Sequence, residues 1–342
     1  MRKFFFILFI FLGAGFVFLS FGEIESIVQT LQRGDFWFIL LALIIQCGWF
    51  IIAGSKIVAL YRIVGLKETF KKMWLLFAAG GFVGTVMPSA GMGAVAVFIS
   101  DARRSGHSTG KVTVASILYV LTDYVTFLCV LALGLIVLFR RNNLDATELI
   151  ASGVMLSIAA LLVFLLYLGS KSEAQLSSAL VYIARFLNRI AHPFIRRDYL
   201  SEAKMRDYAH ETADDLRTIR DRWRSLIRPL LFALANKILL MCVLTAIFLA
   251  FHVPFSAGTI IGGFSITFLF TIVSPTPAGV GIVEGVMPLA LASLNVPWSQ
   301  AVIVTLAYRG VTFWFPLAVG AWALRVLHMD ANQAELTSDN AA

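Results

Sequence analysis

In this 342-residue chain, Asp123, Lys237, Glu284 and Arg309 are ionisable residues within apolar segments that follow or flank two Gly/Pro-rich breaks. A charge at the centre of a bilayer costs ~2.5–3.5 kcal/mol on insertion scales, so such residues face a bundle interior and find partners. Asp123 and Arg309 stand in matching contexts. Each has a threonine three residues on and a phenylalanine four residues on, hence on one helical face. Two readings stay open: a fixed Asp123–Arg309 pair that locks two helices, or a pair that opens to admit an anionic headgroup to Arg309. Lys237, beside Asn236, either binds phosphate or pairs with Glu284. Glu284 either carries a proton or serves as that counter-ion. Tyr119 and Tyr308 read as packing residues.

Two apolar segments that must position these charges are interrupted. Met73–Ile99 contains Gly80, Gly81, Gly84, Pro88, Gly91 and Gly93, and Ser256–Leu294 contains Pro275, Pro277, Gly279, Gly281 and Gly285. Proline removes a backbone donor and glycine lowers helix propensity, so each centre is expected to break its helix. Unwound backbone at membrane depth is tolerated only inside protein or beside a watery cavity. A half-helix starting after such a break presents unpaired N–H groups and a positive dipole end, a seat for phosphate. Gly91 and Gly93 in the first break, and Gly279 and Gly281 in the second, are therefore candidate substrate-binding positions.

Composition fixes the setting. The chain is 59% apolar and 14% charged, against about 45–50% and about 25% in soluble domains. That excludes a disordered chain, a disulfide scaffold and an ordinary cytosolic enzyme, and leaves a polytopic membrane protein. The net charge of +8 fits cytoplasmic loops facing anionic lipid rather than nucleic acid. Cys47, Cys129 and Cys242 sit in apolar runs and read as packing residues. No phosphate-loop motif, zinc-binding H-E-x-x-H or serine elbow occurs, and the histidines have no ligand spacing. Neither a cofactor nor a metal is expected.

Apolar runs place full spans near 4–21, 36–60, 112–139, 148–169, 227–251 and 299–325, each close to the ~20 residues that cross a bilayer. The first is expected to remain uncleaved, since it lacks an A-x-A-like site. Loop 22–35 is acidic on balance, whereas loops 61–72 and 101–111 are basic. Both ends of the first broken segment then face the cytoplasm and both ends of the second face outward, with both termini inside. Arg140 and Arg141, in an outer loop, are the exception. The fold expected is an all-α polytopic bundle of about six spans plus two re-entrant hairpins, or eight or more spans.

Residues 1–170 form an N-terminal membrane half with the broken segment 73–99. Residues 171–228 form a cytoplasmic or interfacial helical segment. Residues 229–328 form a C-terminal half with the broken segment 256–294, and 329–342 a flexible tail. The halves resemble one another. Val125-Thr126-Phe127 and Leu131-Ala132-Leu133-Gly134 match Val311-Thr312-Phe313 and Leu317-Ala318-Val319-Gly320 at the same separation. Paired inverted repeats with Gly/Pro-broken segments are a transporter pattern. Tight packing through small residues, with no pathway, is the alternative.

The run from Phe270 to Glu284, containing P-x-P-x-G-x-G-x-x-E, and the later Tyr308-Arg309-Gly310-Val311-Thr312-Phe313-Trp314 resemble the lysylphosphatidylglycerol synthase transmembrane region. This flippase-like family includes the membrane half of MprF-type proteins. Ser89 to Ser105, with Asp123 beyond, looks like its weaker first motif. Relatives often carry a Glu and an Arg after those glycines, where this chain reads Ala94-Val95-Ala96-Val97. The resemblance implies movement of a phospholipid or lipid-linked anionic headgroup between leaflets without ATP hydrolysis, in a bacterial or archaeal plasma membrane. It implies no aminoacyl transfer, so the chain is expected not to be an enzyme. A membrane enzyme or enzyme partner acting on a lipid carrier, and a small-solute exporter, are the competing functions. Membrane lipids are the expected partners, and a homo-oligomer is left open.

Overall fold

The computed structural model describes residues 27–86, 92–140, 223–274 and 276–339, with isolated positions between 150 and 185. The expected spans at 4–21 and 148–169, Gly91, and most of 171–228 lie outside the described residues.

Every regular element among the described residues is helical. Helix α1 (Phe36–Ile63) starts at Asp35, whose Oδ1 accepts from Trp37 N at 2.9 Å. Helices α2 (Phe70–Val86) and α3 (Met92–Arg104) are the arms of the first broken segment, and α4 (Thr109–Arg140) follows. Helix α5 (Ile227–Ala250) opens after one 3-10 turn, Trp223–Leu226. Helices α6 (Ala257–Val273) and α7 (Ile282–Ser293) are the arms of the second broken segment. Helix α8 (Trp298–Arg309) runs through a π turn, Gly310–Trp314, into α9 (Phe315–Asp339).

Among the described residues, four helical stretches are long and apolar enough to cross a membrane: Phe36–Ile63, Thr109–Arg140, Arg224–Ala250 and Trp298–Leu327. The arms are shorter. The 17 residues of α2 and of α6 reach about 25 Å, less than the ~30 Å hydrocarbon core. Trp37, Ile44, Ile51, Ile136 and Phe139 are exposed, as a surface wetted by lipid requires. The tail differs from expectation: helix α9 continues past Met329 to Asp339. No proline or glycine follows Gly320, and extending a formed helix costs far less than starting one.

Helices α1 and α5 lie antiparallel at the centre. The Asp35 N–H donates to the Ala250 carbonyl at 2.8 Å, joining the start of α1 to the end of α5. Small residues are buried along both helices, Ala42 and Ala53 on α1 and Ala233 and Ala246 on α5, and Gly48 of α1 faces Leu239 of α5. Lipid tails give apolar helices no reason to desert the bilayer, so close packing of small residues has to hold such a pair.

Each long helix after a broken segment packs on the first arm of the other one. Gly134 of α4 lies on Ser265 of α6, whose Oγ donates to the Val130 carbonyl at 3.3 Å. Gly320 of α9 lies on α2, where an added Cβ would stand 2.5 Å from the Ala78 carbonyl oxygen and 2.8 Å from Phe82 Cβ. Backbone cannot yield as a side chain can. Gly320→Val is expected to destabilise the protein by about 1–3 kcal/mol through overpacking, read as a lower melting temperature in detergent.

The far ends of α2 and α3 are tied together. Lys72 Nζ reaches Glu68 Oε1 at 2.8 Å, Asp101 Oδ2 at 3.1 Å and Ser105 Oγ at 2.7 Å, and His107 Nε2 meets Glu68 at 2.8 Å. Burial opposes the Glu68 charge, yet the hydrogen bonds and charges of Lys72 and His107 prevail and hold its carboxyl below the ordinary value of 4.5. A lowered carboxyl stabilises fully above that ordinary value and loses its contribution as pH falls through the lowered one. Amide exchange at 66–72 and 101–108 should therefore be protected near neutrality and accelerate well below pH 4.5. Glu68→Gln should show the faster exchange already at neutral pH.

Candidate functional site

The inner charges form two separate clusters. In the first, Asp123 on α4 is shared by two lysines. Lys56 Nζ of α1 lies 3.0 Å from its Oδ1, and Lys237 Nζ of α5 lies 2.7 Å from its Oδ2. Lys56 is fully buried and Lys237 nearly so, whereas the Asp123 side chain keeps 22% of its surface exposed. Each ammonium also rests on a ring: Lys56 is 3.4 Å from the Tyr119 centroid and Lys237 4.0 Å from that of Phe268. The ring quadrupole stabilises a cation, more so away from water. A cavity of about 150 Å³ adjoins this cluster, lined by Tyr61, Phe77, Gly81, Phe98, Ser116 and Tyr119.

The second cluster sits at the other break. Past Ser274 the chain turns through Pro277–Gly279 with Ala278, Gly279 and Gly281 in the left-handed region, at φ of 50°, 73° and 82°. Glycine adopts that region without the strain it brings to other residues, which explains Gly279 and Gly281. Helix α7 then begins, and Glu284 lies in its first turn. One Glu284 oxygen accepts the Gly281 N–H at 2.8 Å, while the other meets Arg309 Nε at 2.6 Å. Arg309 Nη1 donates to the Ala278 carbonyl at 3.3 Å, and its guanidinium lies 4.1 Å from the Phe313 centroid. Arg309 is 5% exposed, and its Nη2 is buried without a hydrogen-bond partner.

Helix geometry explains the aim of Arg309. Pro316 has no N–H to return to the Thr312 carbonyl, and its ring crowds the preceding turn. The ladder widens there, and the Phe315 N–H bonds the Gly310 carbonyl five residues back. Arg309 stands at the entrance of this wide turn.

These pairings differ from both sequence expectations. Asp123 does not pair with Arg309, because α4 lies against α1 and α5, each of which offers a lysine, while α8 lies against α7. Lys237 does not pair with Glu284 for the same reason. The phosphate seat expected after Gly279 is occupied by Glu284, whose carboxylate takes the Gly281 N–H. Gly93 lies in the first turn of α3. Tyr119 packs as expected and in addition carries a cation on its face.

Lys56 is the residue that sequence reasoning missed. Its signal is present: a lone charge in the apolar run from Phe36 to Leu60, subject to the same cost that singles out the other four. Gln46 and Asn236, on facing helices, are buried with side-chain atoms that lack hydrogen-bond partners. Among the described residues, then, three buried cations face two carboxylates.

The cluster predicts an asymmetry. Asp123→Asn leaves two like charges buried together and should cost about 3 kcal/mol, in the range for breaking a buried ion pair. Lys56→Met leaves a neutral Asp123–Lys237 pair and a side chain of similar length, and should cost well under half of that. Melting temperatures of the two variants in the same detergent measure the difference.

Residues 5–320 match the family model described as the lysylphosphatidylglycerol synthase TM region. A UPF0104 membrane protein of Methanocaldococcus jannaschii is 23% identical over 318 residues, covering 91% of this chain and 90% of the relative. Another, from Pyrococcus horikoshii, is 25% identical over 313 residues, covering 89% and 91%. A third, from Methanothermobacter thermautotrophicus, is 22% identical over 307 residues, covering 89% and 88%.

Proposed function

Since the chain belongs to the family of the lysylphosphatidylglycerol synthase TM region, we propose that it is a flippase-like transporter. It moves a phospholipid or lipid-linked anionic headgroup between leaflets, without ATP hydrolysis and without acting as an enzyme. One observation carries this reading: among the described residues the buried interior holds one more cation than carboxylates, and one cation, Arg309, keeps an unused donor beside a broken helix. An anionic headgroup supplies a counter-charge when it is at the first cluster and an acceptor when it is at the second. A neutral solute supplies neither.

Glu284 has a part in this reading. It already occupies the positions a phosphate would take, on Arg309 and on the first N–H of α7. An arriving headgroup exchanges with it, so Arg309 is never left buried without a counter-ion. Lys237 and Lys56, held by Asp123, supply the second positive region. The cavity beside Tyr119 leaves room near them.

The two broken segments are re-entrant hairpins of an inverted repeat. In support, the ends of α2 and α3 are tied by Lys72, and both L-A-x-G glycines cross the first arm of the opposite hairpin. Thr126 and Thr312, at matching positions, donate to the carbonyls of Thr122 and Tyr308 at the same 2.8 Å. The end bearing Arg62, Lys67, Lys71, Arg103, Arg104 and Lys111 faces the cytoplasm of a multi-pass plasma-membrane protein.

Proteoliposomes with a labelled anionic phospholipid in one leaflet test the proposal. Wild-type protein should speed leaflet exchange, and Arg309→Ala and Lys237→Ala should each lower the rate by about tenfold or more, as loss of a charge-assisted contact implies. Equal exchange in wild type and both variants would remove these residues from the mechanism. No exchange of any anionic lipid by folded wild type would overturn the transport reading.

A further inference from the structure

Helix α1 has a second working face. Lys56, Ile57 and Leu60 point inward and are buried. Ser55, Ala59 and Arg62 line a crevice of about 470 Å³ that Ser225 and Arg228 close from the start of α5. Arg62 and Arg228 are exposed, and no carboxylate among the described residues lies within ion-pair distance of either. Arg62, Arg228, Ser55 and Ser225 therefore line one crevice, otherwise walled by apolar residues, at the basic end of the bundle.

A second space shares one wall residue with it. Phe70 lines the crevice and also a groove of about 500 Å³ between α1, α2 and α9. Cys47, Ile51, Trp74, Val319 and Trp322 form the walls of this groove, whose lining is almost wholly apolar, and Lys71 stands at its edge. From Arg62 back to Cys47, α1 rises by about 22 Å, deeper than the ~15 Å of one leaflet's hydrocarbon. A crevice edged by two arginines, beside an apolar trough of leaflet depth, matches a single chemistry.

We propose that this face docks one anionic diacyl phospholipid, with its phosphate between Arg62 and Arg228 and an acyl chain along the groove past Phe70. Charge complementarity selects the headgroup. A phosphodiester accepts from both guanidiniums, whereas the ammonium of a zwitterionic lipid meets three cations in Arg62, Arg228 and Lys71. The site rests on no transport step, since a lipid is held there whether or not it is later moved.

Native mass spectrometry of the full chain, titrated with phosphatidylglycerol or phosphatidylcholine in detergent, tests the headgroup. Wild type should retain phosphatidylglycerol preferentially. Arg62→Gln combined with Arg228→Gln should weaken that retention by about tenfold or more and leave phosphatidylcholine unchanged. Phosphatidylglycerol with a photoreactive acyl chain should label Cys47, Ile51 or Trp74 in wild-type protein, a readout that needs no variant to fold. Unchanged phosphatidylglycerol retention by the folded double variant would overturn the proposal, as would labelling confined to helices other than α1, α2 and α9. Displacement of the lipid by an equal concentration of inorganic phosphate would also overturn it, making the crevice a free-anion site.

Discussion

One carboxylate holds three helices in place. Asp123 is bonded to Lys56 on α1 and to Lys237 on α5, and these two helices form the central antiparallel pair. Within a low-dielectric interior, two ammonium groups bound to the same carboxylate repel strongly, and neither would stay buried without the negative charge between them. The hydrophobic effect, which drives helices together in water, is largely absent between helices already in lipid. The ionic clasp and the small-residue contacts of α1 with α5 therefore set the frame on which both broken segments hang.

The two halves treat their equivalent charges differently. In the first, Asp123 is fixed by partners on helices outside the broken segment. In the second, Arg309 is held by Glu284, which belongs to the broken segment itself, and by the Ala278 carbonyl of the break. A partner on the same short arm can move with that arm, and a partner on the central pair cannot. The likeness of sequence between the halves thus coexists with a difference in mechanics: a braced half and one whose ion pair belongs to the element that would rearrange.

Much of this architecture was legible in the residues, and the reasons are local. Prolines clustered with glycines announce the breaks, so both interrupted segments could be placed from sequence, although Gly80, Gly81 and Gly84 lie within α2 and Pro288 within α7. Continuous apolar runs likewise gave α1, α4 and α5 to within a few residues. Partners are another matter. Which lysine meets Asp123 depends on which helices touch, and spacing along the chain does not carry that information. Lys56 went unread because most nearby basic residues belong to the adjoining loop, while Lys56 lies about two turns inside the helix. The seat after Gly279 is suited to an anion, and the anion that fills it is Glu284, five residues further along the same chain. The helical tail beyond Met329 reflects propagation from α9 rather than any apolar signal of its own.

The wide turn at Gly310–Trp314 has a further consequence. A π turn holds one residue more than the α ladder requires, and one residue corresponds to about 100° of rotation. Arg309, before the turn, must look toward Glu284, while Gly320, after it, must look toward Ala78. The extra residue sets the phase between these two faces, so they are oriented independently within one continuous rod. Removing any single residue from that turn would leave the arginine where it is and swing the glycine away from its neighbour. The number of residues in the turn, more than their chemistry, is what makes α8 and α9 fit both partners at once.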